Sequence, residues 1–74
     1  MNKNDANEKF EKLANIADDR NSRLGFKRFH MIKSMDGNIP VYGMYDYSTK
    51  KYILSEPFMD VNNIMTEIEQ TLRR

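Results

Sequence analysis

The chain has one histidine, His30, and no cysteine among its 74 residues. A metal site needs three or four converging ligands, and a hydrolytic triad needs a nucleophile, a base and an orienting acid. No His-x-x-x-His, Cys-x-x-Cys or Gly-x-Ser-x-Gly pattern occurs. His30 therefore reads as a structural or surface residue. Asp18 and Asp19 form an acidic pair, but their place after an apolar helical stripe reads as a helix end. Asp46, followed by Tyr47-Ser48-Thr49, reads as a turn former whose carboxylate bonds backbone amides ahead of it. Gly25, Gly37 and Gly43 are too far apart to cradle a phosphate. No enzymatic activity, metal or cofactor is expected.

The residues with most to offer a partner are aromatic. Tyr42, Tyr45, Tyr47 and Tyr52 fall within eleven positions. Tyrosine gives large contact area with few rotatable bonds and is favoured at interfaces. A small core does not accommodate all four, so at least two are expected outside. Phe29 and Met44 join them as candidate partner-binding residues. Met31, Met35, Met44, Met59 and Met65 fit either gap-filling in the core or an adaptable apolar surface.

A second set is basic. Residues 20–35 hold Arg20, Arg23, Lys27, Arg28 and Lys33 with no acid, whereas both termini are mildly acidic. Lys27, Arg28 and Lys33, with Lys50 and Lys51, would contact phosphates while nearby tyrosines stacked on bases. Against this, the net charge is only +1, and dedicated nucleic-acid binders are usually strongly basic.

These residues need elements to position them. Seventy-four residues make one small domain at most. Asp5 and Glu8 form a capping-box pattern. Phe10, Leu13, Ala14 and Ala17 recur at helical spacing, which predicts a helix over about residues 6–18 that closes at the polar link 18–22. Leu24 to Ser34 mixes Lys and Arg with apolar residues, as an edge strand does. Asp36-Gly37 marks a turn. Val41 to Ser55 reads as two strands folded back at residues 46–51, with Gly43 marking a bulge or a close backbone approach. Glu56-Pro57 ends the sheet. Asp60 is an N-cap for Val61, Ile64, Met65, Ile68 and Leu72, which predicts a helix over residues 61–73. Phe58 is placed to pack on its first turn.

The expected fold is α+β, ordered α-β-β-β-α, a three-stranded antiparallel meander with both helices packed on one face. Phe10, Leu13, Ile64, Met65, Ile68 and Leu72 should meet the sheet there. That order is similar to the double-stranded-RNA-binding domain, but Asp60-Val61-Asn62-Asn63 stands where that family carries lysines at its last helix. The strands and final helix are similar to the arm-binding domain of tyrosine recombinases, through an aromatic sheet with basic residues. Small size with abundant Asn, Lys, Ile and Tyr resembles accessory proteins of phages and mobile elements.

The leading expectation is a non-catalytic protein-binding module, a regulator or inhibitor acting through an exposed tyrosine face and an edge strand. The alternative is a nucleic-acid-binding domain using the basic segment. No membrane span or signal peptide is expected, and a cytoplasmic monomer or weak homodimer is the default.

Overall fold

The computed structural model describes residues 3–55 and 61–74. Five elements follow in order: α1 (Lys3–Leu24), β1 (Phe29–Asp36), β2 (Ile39–Asp46), β3 (Lys51–Leu54) and α2 (Val61–Leu72). The strands form one antiparallel sheet in the order β1-β2-β3. Both helices lie on the same face, α1 over β1 and α2 over β2 and β3. The architecture is the expected α+β meander. Glu56-Pro57, Phe58, Met59 and Asp60, to which a strand stop, a staple and an N-cap were assigned, lie outside the described residues.

The core forms where the apolar stripes of the helices meet alternate residues of the sheet. Ala6, Phe10, Leu13 and Ala17 of α1 and Ile64, Met65, Ile68 and Leu72 of α2 close on Phe29, Tyr42 and Met44. Met31, Ile53, Ile16 and Val61 pack at its margin. Phe10, Leu13, Ile64, Met65, Ile68 and Leu72, expected to meet the sheet, are all in this cluster, whereas Ala14 of the same helical stripe is half-buried outside it.

Helix α1 is longer than its apolar stripe. It runs on past Asp18-Asp19 because the last turns are held by polar groups. Asp19 pairs with Arg23 at 3.0 Å. Arg20 donates from its guanidinium to the carbonyls of Leu72 and Arg74, and so caps the C-terminal end of α2. The terminator is Gly25, at φ +77, whose N–H returns to the Asn21 carbonyl at 3.0 Å. At the other end the helix starts at Lys3, so Asp5 lies within the first turn and not ahead of it.

The first strand is correspondingly displaced, from the expected 24–34 to Phe29–Asp36. Asn21 sets its start. Its side-chain oxygen accepts from the N–H groups of Arg28 and Phe29, and its amide donates to the Phe29 carbonyl. The side chain acts as a short stand-in for a neighbouring strand.

Both turns follow their residues. Asp36 pairs with Ile39 across Gly37-Asn38. Gly37 has φ +62 and Asn38 does not have positive φ, the type II′ pattern that suits hairpin twist. Asp46 pairs with Lys51 across a four-residue loop. There the Asp46 carboxylate accepts the Ser48 N–H at 2.9 Å, as expected of a turn-forming aspartate, and Lys50 closes the loop at φ +59. Pro40 lies inside β2 opposite Met35. Ser55 N–H bonds the Tyr42 carbonyl, so even-numbered residues of β2 direct their backbone groups toward β3. Pro40 has no partner within Lys51–Leu54, so its missing N–H breaks none of the described bonds of that ladder.

Candidate functional site: the open face of the sheet

Register decides which aromatic residues are available. One row of side chains crosses the strands as Phe29, Asp46 and Lys51, and another as Met31, Met44 and Ile53. These rows face the helices. The intervening rows, His30-Tyr45-Tyr52 and Ile32-Gly43-Leu54, with Ser34 and Val41 beyond, face away.

The expected partner-binding set is therefore split. Tyr42, Phe29 and Met44 are 2%, 1% and 0% exposed. They are core residues and offer no surface, which corrects their assignment as contacts. The cause is parity: alternate residues from Phe29, Tyr42 and Met44 share the face that the helices cover. Tyr42 packs its ring 5.5 Å from that of Phe10, and its hydroxyl donates to Asn7 at 2.8 Å.

The other three tyrosines form one cluster on the open side. Tyr52 is 65% exposed and Tyr47 50%, with Tyr45 half-buried between them. The Tyr45 ring centroid lies 4.4 Å from that of Tyr52 and 4.8 Å from that of Tyr47, which meets it edge-on. Such packing fixes the rings mutually and lowers the entropy lost on contact. Leu54 lies across Gly43: a Cβ built there would stand 2.5 Å from Leu54 Cδ2 and 2.4 Å from the Ile53 carbonyl oxygen. Gly43 thus marks a close approach, and it lets Leu54 flatten onto the sheet beside exposed Tyr52. Sequence reading missed Leu54, Ile32 and His30 as members of this face. Their alternation with the tyrosines across the ladders is the signal that carries them.

Ten strand positions face this side, and Asp36, at the far end of the β1–β2 hairpin, is the one ionised residue among them. The five basic candidates are elsewhere or engaged. Lys33 and Lys51 occupy helix-side register positions. Lys51 lines a cleft of about 230 Å³ with Glu67, Thr71 and Arg74 of the α2 end. Arg28 makes a two-pronged contact with Asp46, Nε to Oδ1 and Nη2 to Oδ2, both 3.2 Å. Its guanidinium also lies 4.7 Å from the Phe29 ring centroid. Lys27 and Lys50 are exposed outside the strands.

Asp46 is almost wholly buried, at 2% exposure. Burial pushes its carboxyl up, but the Arg28 guanidinium and the amides of Ser48 and Thr49 outweigh that and hold it below the usual carboxylate range. A carboxyl lowered by folding stabilises the fold above its unfolded value, near 4, and that contribution is lost as pH falls through the folded value. Asp46→Asn should cost about 1–2 kcal/mol at neutral pH. The deficit should shrink as unfolding titrations are moved from neutral pH to pH below the ordinary carboxylate range. An equal deficit at both pH values would contradict this assignment.

Among the described residues, no group of three or more His, Asp or Glu side chains is placed to hold a metal. No described helix is long and apolar enough to cross a membrane. No protein-family model, curated protein or solved structure matches the chain.

Proposed function

We propose that this chain is a non-catalytic protein-binding module whose contact surface is the open face of the sheet, centred on Tyr45, Tyr47 and Tyr52 with Leu54 and Ile32. The observation that carries this reading is the contiguous ring cluster on the side away from both helices, where the two sheet rows that hold Tyr45, Tyr52 and Leu54 contain no Lys, Arg, Asp or Glu. Aromatic area of this kind suits the desolvated centre of a protein interface. A phosphate backbone needs cations beside the stacking rings. Here Lys33 and Lys51 face the helix side, and Asp46 holds Arg28. That separation favours a protein partner over nucleic acid.

The test is affinity capture from the source cells, using wild type and a Tyr47→Ala/Tyr52→Ala variant as baits, each with and without nuclease. A protein retained by wild type, insensitive to nuclease and reduced at least about tenfold on the variant supports the reading. Capture that nuclease abolishes, or that the variant leaves unchanged, overturns it.

A further inference from the structure

The sheet has two edge strands, β1 and β3, and they are not equivalent. The directions of the backbone groups follow from two hydrogen bonds outside the ladders. Tyr47 N–H bonds the Arg28 carbonyl at 2.8 Å, so even-numbered residues of β1 bond inward to β2 and odd-numbered ones point outward. Ser55 N–H bonds the Tyr42 carbonyl at 2.8 Å, so Lys51 and Ile53 bond inward while Tyr52 and Leu54 point outward.

The β1 edge is guarded. Asn21 already occupies the outward groups of Phe29. The remaining outward positions are Met31, Lys33 and Met35. A two-fold axis at Lys33 would set lysine against lysine, an axis at Ile32 would pair Met35 with the blocked Phe29, and an axis at Ser34 would set each Lys33 against an apolar Met35. Lysine and a side chain bonded across the edge are recognised ways of preventing strand addition.

On the β3 edge the lysine, Lys51, stands at the strand end and bonds inward, and no side chain is bonded across the outward groups among the described residues. Among the described residues nothing bonds the outward groups of Tyr52 and Leu54. We infer that a second copy of this chain pairs antiparallel along β3, with the two-fold axis at Ile53. This register sets Tyr52 opposite Leu54 of the second copy in both directions, which makes four backbone hydrogen bonds. Ile53 meets Ile53 on the axis, and Lys51 meets Ser55. No like charges oppose each other, so the edge is complementary to itself, as a two-fold interface requires. The product is a six-stranded sheet in which the two tyrosine faces lie side by side on one continuous platform. The contact is short, so the association is weak and concentration-dependent.

Sedimentation and amide hydrogen exchange on the purified chain, up to roughly 1 mM, test this. Wild type should shift toward dimer, and the Tyr52 and Leu54 amides should exchange about tenfold more slowly at the high end than when dilute. Met31, Lys33 and Met35 should show no such change. Tyr52→Thr keeps the outward amide and should still dimerise, whereas Tyr52→Pro removes it and should remain monomeric while folded. A strictly monomeric wild type, or concentration-dependent protection at Met31, Lys33 and Met35 instead, overturns the inference. Both outcomes are independent of whether a heterologous protein is captured by the tyrosine face.

Discussion

Gly43→Ala is expected to destabilise the chain by about 3 kcal/mol, near the upper end for a substitution that overfills a packed site. The added methyl would stand 2.4 Å from the Ile53 carbonyl oxygen and 2.5 Å from Leu54 Cδ2. Leu54 can rotate away, but the carbonyl is ladder backbone, and moving it strains the β2–β3 pairing. The reduced chain entropy of alanine in the unfolded state returns only about 0.4–1 kcal/mol. Urea unfolding of the purified variant should show a lower midpoint and lost protection along β3. A midpoint equal to wild type would mean that the close approach of β3 to β2 is wrong.

Tyr42→Ala should cost more, about 3–5 kcal/mol, as for other large aromatic truncations in cores. That is comparable to the whole stability expected of a domain this size. The ring is buried against Phe10, and its loss leaves a cavity under α1. Tyr42→Phe separates the ring from its hydroxyl. It removes only the bond to Asn7 and should cost about 1 kcal/mol. Circular dichroism through a urea titration checks both, and equal costs for the two variants would contradict the packing described.

The sequence carries the order of elements and the extent of α2 because the apolar stripe of α2 spans the helix from Val61 to Leu72. It is a poor guide to α1 because the last turns of that helix are fixed from a distance. Arg20 reaches the end of α2, and Asn21 reaches Phe29. Neither contact leaves a local pattern. The same holds for the site. Alternation in β2 separates Tyr42 and Met44 from Tyr45 in advance, but both sets are apolar enough to be covered. Only the placement of the helices decides that Tyr42 goes in and Tyr52 stays out. Asp46 is the sharpest case. As a turn residue it looks destined for solvent, yet the guanidinium of Arg28 permits it to lie in the core row beside Phe29.

The division of labour between the two sides of the sheet can be measured directly with Tyr52→Ala. The ring of Tyr52 packs on that of Tyr45, and it is 65% exposed. Its removal should lower the unfolding free energy by no more than about 1 kcal/mol, the scale of one cross-strand aromatic pair. A loss as large as that of Tyr42→Ala would mean that the tyrosine face holds the fold together and is not free for a partner.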